Sequence, residues 1–342
     1  MTIRVLRSGV LATVQDLGRP GMQHLAIVPG GAMDAVSHRI ANALVGNVDD
    51  AASLEIALAG PELLFECDAL IALHGARFEP LLDGAPMPVS RPVRLPAGAR
   101  LRVGRAVDGA FGYLAVAGGI DVSPVLGSRS TYVPAAFGGL KGRAILAGDT
   151  LPLRADAAEL GRARYVQLAR GGRTVGLAGG GASVRWSAPM FTLPADPIVV
   201  RVVDGVHARL FSAAARSELL GARWSVAAES NRMGYRLAGP RLALEQPREI
   251  MSQPVGFGTV QVPASGQPIV LMADRQTTGG YPRIAEVIAA DVPRIAQAVP
   301  GRAAVRFERV TLTAADAAGS ENAKRVGDVI ERLRWEFGDD KH

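Results

Sequence analysis

One cysteine, three lysines and an aromatic content of 5% are the scarcities of this chain. A lone Cys67 closes no internal disulfide and offers no thiolate partner for a structural zinc cluster, which fits a reducing compartment. Set in the run 63–67, it reads as a small buried hydrophobe. No charged stretch followed by a short apolar core opens the chain, and no uncharged apolar run reaches the roughly 18 residues of a membrane span. The expectation is a cytoplasmic protein with no membrane partner. His24, His38, His74, His207 and His342 never pair at metal-ligand spacing, which argues against zinc. Gly-x-x-x-x-Gly-Lys-[Ser/Thr], His-Glu-x-x-His and Gly-x-Ser-x-Gly are all missing. Gly179-Gly180-Gly181 lacks dinucleotide-binding spacing and reads as a tight turn.

What is present is material for a large core. Hydrophobic residues make up 48% of 342 positions and charged residues 20%, and that length favours two compact units. The 40 glycines and 22 prolines suit a turn-dense, strand-rich architecture. The net charge is +6, carried almost wholly by arginine, which favours planar contact with carboxylates and phosphates. No basic stripe interleaved with aromatics is seen, so nucleic acid is not the expected partner.

Short alternating or apolar runs at 100–103, 113–117, 198–203, 259–262 and 304–307, separated by turn residues, predict β-barrels or sandwiches. Helical spacing is confined to Met33, Val36, Ile40 and Leu44 before Gly46, to Leu210, Phe211 and Ala214 before Gly221, and to an amphipathic stripe from Val326 to Phe337. LAGPELLFE at 58–66 matches LAGPRLALE at 237–245 in six of nine positions. Gly84-Ala85-Pro86 against Gly266-Gln267-Pro268, and Gly112-Tyr113 against Gly280-Tyr281, follow in the same order. A duplicated unit explains them. The expected organisation is a β-rich half at 1–154, a related half at 163–312, a connection near 154–162, and a C-terminal helix and tail at 313–342.

Five polar, glycine-bearing segments exceed what packing needs. In TVQDLGRPG (13–21), Asp16 and Arg19 read as a surface ion pair stitching a turn. In VPGGAMD (28–34), Asp34 either caps the following helix or serves a site, and Asn47 beyond that helix either fills a left-handed position or does likewise. Arg129, Ser130 and Thr131, with Lys141 and Arg143, bring hydroxyls and cations together as an anion contact; otherwise Arg129 bridges the two halves. In SNRMGYR (230–236) and ADRQTTGGYPR (273–283), Gln276, Thr277 and Thr278 suit an amide or ureido group. Asp274 is either a base or a turn residue. Asn231 matches a neutral amide and Arg232 a carboxylate or phosphoryl oxygen. These two segments are expected to share one cleft.

TVQDLGR (13–19), GAMD (31–34), LVGN (44–47), NRMG (231–234) and QTTGGYP (276–282) together closely resemble the biotin-dependent carboxyltransferase family. That group spans a 5-oxoprolinase subunit, the KipI antagonist, allophanate hydrolase subunit 2 and the carboxyltransferase part of urea carboxylase. The resemblance covers residues 3–310. It implies a mainly β fold with a cyclophilin-like barrel in the second half, and a KipI-like partner. In the oxoprolinase branch, a third subunit, of LamB/YcsF-like type, completes an assembly that opens 5-oxo-L-proline to L-glutamate with ATP. The catalytic residues expected there are Asp274, Gln276 and Thr278, with Asn231, Arg232, Thr277, Tyr281, Arg129, Ser130 and Thr131 binding substrate.

Two other readings go with the resemblance. One is a carboxyltransferase component working with separate biotin proteins, since the chain has no biotin-accepting Met-Lys motif of its own. The other is a non-catalytic KipI antagonist.

Overall fold

The computed structural model describes residues 1–170, 172–191, 195–246 and 248–338. Strand residues outnumber helical ones, and the chain forms two compact units: 1–19, 34–193 and 325–342 in one, 20–33 and 194–324 in the other. Lys341 and His342 lie outside the described residues. No helix among the described residues is long and apolar enough to cross a membrane.

The first unit holds two sheets, of six and seven strands. In Thr2–Arg7, Ile3 and Val5 point into the core while Arg4 is exposed, the period-two alternation of a half-buried strand. This strand pairs antiparallel with Glu62–Phe65 and Thr150–Pro152. The larger sheet is built around Ala69–Phe78 and Ala106–Val116. Ala69–Phe78 is buried almost throughout because helices α1 (Ala35–Leu44) and α2 (Ala157–Ala169) also pack on it, and its first half, 69–73, is a continuous apolar run. Leu54, Ile71, Leu73, Leu101, Leu114 and Val116 belong to the core of this unit, and Cys67 packs against it half-buried.

The second unit is a closed seven-stranded barrel. Its circuit runs Ile198–Asp204, Arg283–Val287, Thr259–Gln261, Ile269–Leu271, Gly234–Ala238, Trp224–Val226, Ala304–Arg309, and closes by parallel pairing of Val200 with Phe307. Each run anticipated as a strand lies wholly or mostly in one. Helix α3 (Ala213–Gly221) is capped by Ser212, whose hydroxyl accepts from the Ala215 N–H at 3.1 Å, and packs on Ala304–Arg309. A short α4 (Val292–Ala296) and the long α5 (Leu312–Trp335) follow.

Three expectations change. Residues 154–162 are no linker: Ala157 begins α2, and both units are divided elsewhere than the halves anticipated. The buried residues of α2 are Ala157, Ala158, Gly161 and Leu168, a face of mostly small residues that gives no apolar stripe. A Cβ at Gly161 would stand 3.0 Å from the Leu70 nitrogen, so glycine permits the close approach. Next, α5 starts at Leu312, well before the stripe at Val326, because its buried residues are confined to Val326, Ile330 and Leu333; alanine-rich composition and the Thr311 hydroxyl, accepting from the Ala314 N–H at 3.2 Å, carry the earlier turns. Lastly, the two LAGP segments sit in different sheet arrangements. Their glycines nevertheless answer the same constraint: a Cβ at Gly60 would meet Val103 at 2.5 Å, and one at Gly239 would meet Trp224 at 2.7 Å. The triple glycine is a turn, with Gly179 and Gly180 at positive φ.

Candidate functional site

Strands Gly234–Ala238 and Ile269–Leu271 pair with Gly234 opposite Leu271, so 231–233 and 272–274 leave the barrel side by side. Met272 N–H donates to the Met233 carbonyl at 3.0 Å and Asp274 N–H to the Arg232 carbonyl at 2.8 Å. The two segments expected to share a cleft therefore do converge, within one unit. Their charged side chains pair with each other: Arg232 Nε donates to Asp274 Oδ2 at 2.8 Å and Nη2 to Oδ1 at 2.9 Å, with side chains 6% and 3% exposed. Arg232 Nη2 also donates to the Gly31 carbonyl at 2.7 Å, tying in the GAMD loop. This corrects the expectation that Arg232 waits for a ligand oxygen and that Asp274 is an available base. Both carboxylate oxygens are engaged by a guanidinium fork, a positioning arrangement. Asn231 is exposed and turns the chain, its Oδ1 accepting from Met233 N–H at 2.9 Å.

Beyond the ion pair the groups are neutral or shielded. Gln276 Nε2 donates to Gln261 Oε1 at 3.3 Å. Gln261 is 1% exposed, and its own Nε2 has no partner among the described residues. Thr277 is half-buried and its carbonyl accepts from Val255 N–H at 3.1 Å; Thr278, exposed, pairs with Pro254 in a two-residue ladder. Arg275 is buried with its guanidinium over the Phe257 ring, 5.6 Å from the centroid. Glu286 lies opposite Thr259 on the strand beside Gln261, and burial raises its carboxyl above the ordinary range against the opposing pull of the Thr259 hydroxyl. A carboxyl so shifted can exchange a proton nearer neutrality. Sequence reading missed Glu286; the signal was a single acid inside the apolar strand 283–287. Tyr281 is half-exposed and lines a cavity of about 560 Å³ with Phe211, Leu242, Ile250, Val262 and Pro282.

Arg129, Ser130 and Thr131 lie in the other unit. They are knitted to the first motif. Ser128 Oγ donates to Asp16 Oδ1 at 2.6 Å and Asp16 also takes the Ser130 hydroxyl and the Arg129 N–H, while Thr131 Oγ1 donates to the Val14 carbonyl at 2.9 Å. Ser130 and Thr131 are fully buried, and the half-buried Arg129 donates from Nε to the Val122 carbonyl at 3.0 Å, within its own unit. Asp16 and Arg19 are buried rather than a surface pair: Arg19 Nη2 donates to the Ser130 carbonyl at 2.6 Å and its guanidinium lies over Phe137. Arg143 grips Asp149 with both terminal nitrogens, at 2.6 and 2.8 Å, and Lys141 reaches the same carboxylate at 3.4 Å, which holds Asp149 well below the usual range. In the expected anion contact, the hydroxyls of Ser130 and Thr131 are thus engaged within the unit and the charges of Lys141 and Arg143 are met by Asp149. Asp34 caps α1, accepting from Ser37 N–H at 3.0 Å. Gly46, not Asn47, takes the left-handed position; Asn47 is buried and donates to Asn42 Oδ1 and the Val116 carbonyl.

Against known proteins, the chain is 38% identical over 334 residues to the C-type subunit of 5-oxoprolinase from Escherichia coli K12, covering 97% of this chain and 98% of that one. The Haemophilus influenzae protein of the same name is 37% identical, covering 88% and 89%. The urea amidolyase of Lachancea kluyveri is 30% identical across 87% of this chain, but that match takes in 16% of its own length. Among solved structures, the Kluyveromyces lactis urea amidolyase superposes with TM-score 0.84 at 28% identity, over 96% of this chain and 20% of that chain. The protein TTHA0988 gives 0.74 at 34%, over 90% and 55%. The family profile for the carboxyltransferase domain, subdomain A and B, spans residues 25–309, and the chain belongs to that family.

Proposed function

We propose that this chain is the C-type subunit of an ATP-dependent 5-oxoprolinase complex that opens 5-oxo-L-proline to L-glutamate, acting with a KipI-like subunit and a LamB/YcsF-like subunit. The observation that carries the reading is end-to-end correspondence: 98% of the Escherichia coli protein is covered at 38% identity. The site is compatible with a lactam. Its neutral carboxamides, Gln276 and the buried Gln261 with an unanswered donor, match a ring carbonyl, and the Thr278 hydroxyl stands on the same motif. Glu286 supplies a carboxyl shifted towards proton exchange, and the Arg232–Asp274 pair holds the two loops in register. A polyphosphate does not fit here, because Arg232 is engaged by Asp274 and Gly31 and Arg275 is turned onto backbone carbonyls and Phe257. ATP belongs to the complex, and no step through it is placed on these residues.

The 0.84 superposition on urea amidolyase favours a second reading, a carboxyltransferase component of a biotin-dependent urea or amide carboxylase. There the carboxamides of Gln261 and Gln276 would hold the ureido ring of biotin, which supplies the carboxyl group. Co-purification with the KipI-like and LamB/YcsF-like proteins, followed by an assay of ATP-dependent glutamate formation, separates the readings. Gln276→Ala should lower activity of the complex at least tenfold with association and melting temperature unchanged. Full activity of that variant would remove Gln276 from the chemistry, and a complex with no oxoprolinase activity that binds biotinylated protein would favour the carboxylase.

A further inference from the structure

A second cavity in the barrel unit, of about 400 Å³, takes no part in the site above. Its floor is apolar, formed by buried Val202, Leu219 and Ile284. Its walls carry Arg209 from the turn before α3, Arg216 from α3 itself and Arg309 from the end of the last barrel strand, with Asp204 as the one acid. Register explains the convergence: Val202 pairs with Arg309 and Asp204 with Ala285, so three strand ends open beneath α3. Arg309 donates to Asp204. Neither Arg209 nor Arg216 forms an ion pair among the described residues.

Three arginines and one aspartate among the lining residues give this wall a net charge of plus two. Like charges so gathered repel, and the repulsion is relieved by a counter-charge of minus two. Guanidinium forks select planar or tetrahedral oxyanions, taking two oxygens at once. The cavity volume exceeds what a bare ion needs and falls in the range of small-molecule sites, and its apolar floor can cover a ligand body. We propose that this cavity binds a doubly charged oxyanion, a phosphate monoester or inorganic phosphate, with Arg209 and Arg216 as the principal contacts and Arg309 shared with Asp204.

The test is a titration of the full chain by ³¹P NMR line broadening with inorganic phosphate and, separately, adenosine monophosphate, with acetate as a competing monoanion. Saturable binding is expected, weakened about ten- to a hundredfold in Arg209→Ala and Arg216→Ala, as loss of a charge-assisted bond implies. Arg102→Ala removes the same charge from a separate cavity in the other unit and should leave binding unchanged. Binding of the monophosphate at least tenfold tighter than phosphate identifies an esterified ligand, and equal binding identifies free phosphate. All three substitutions are at exposed side chains, and circular dichroism checks that each variant is folded. No saturable binding, equal weakening by Arg102→Ala, or acetate competing as well as phosphate would each overturn the proposal.

Discussion

Arg232 and Asp274 meet through two hydrogen bonds with both side chains shut from solvent, and that burial fixes what substitution does. Removing one partner strands the other charge, so Arg232→Ala and Asp274→Ala should each lower unfolding free energy by about 3–5 kcal/mol. Gln276→Ala, at a half-buried amide with one long hydrogen bond, should cost under about 1 kcal/mol. Urea denaturation of the three variants distinguishes positioning residues from binding ones, and near-wild-type stability of Asp274→Ala would return Asp274 to the catalytic candidates. A second residue-scale consequence concerns His38, between Ser53 and Asn42, and His74, beside Ser90. Burial lowers both imidazoles to about 4. The unfolded chain protonates them near pH 6.5, so the folded state binds fewer protons between the two values. Stability should be complete above about pH 6.5 and decline as pH falls towards 4, by roughly 3 kcal/mol per histidine. His74→Gln should flatten that decline relative to its own stability at pH 7, and an unchanged slope would exclude His74 as a source.

At the scale of elements, α1 shows how one side chain starts a helix. Asp34 accepts from the Ser37 N–H and from its hydroxyl, at 3.0 and 2.7 Å, satisfying a donor that the first turn leaves open. Asp34→Ala should cost about 1–2 kcal/mol and Asp34→Asn less, since asparagine also caps; thermal unfolding of the pair checks this, and equal losses would place the effect elsewhere than the cap. The elements legible in the sequence were those with a clear period. Leu101 between Arg100 and Arg102 announces a half-buried strand, and Met33 to Leu44 announces α1. Helix α2 was hidden because it packs through alanine and glycine, and the first half of α5 because it buries almost nothing. The site was legible as a convergence of 231–233 with 274–281 but not in its charge pairing. A sequence shows that Arg232 and Asp274 are both present; only the register of Gly234 with Leu271 shows that they neutralise each other.

At the scale of the whole chain, the side chains described in the candidate site are neutral, paired with one another, or a buried carboxyl. Gln261 and Gln276 are neutral, Arg232 and Asp274 are mutually engaged, and Glu286 is a carboxyl whose protonated form burial favours. Opening an unstrained amide at neutral pH takes more than this: the carbonyl must be activated, and a resonance-stabilised nitrogen must be made to leave. In the proposed reaction ATP provides that activation, and the two buried arginines of this site, Arg232 and Arg275, are already engaged by Asp274, Gly31 and Phe257. The arginine cavity, with its net two positive charges, matches a single phosphoryl group rather than a triphosphate chain. The isolated chain is therefore expected to release no glutamate from 5-oxoproline with ATP. Mixing it with the KipI-like and LamB/YcsF-like proteins should produce activity that depends on all three, and leaving out this chain should abolish it. The measurement is glutamate formed per ATP hydrolysed in single, paired and triple mixtures at matched concentrations. Turnover by this chain alone would require a nucleophile and a nucleotide site that the described residues do not display. Full activity of the other two without it would instead make it a regulator rather than a part of the enzyme.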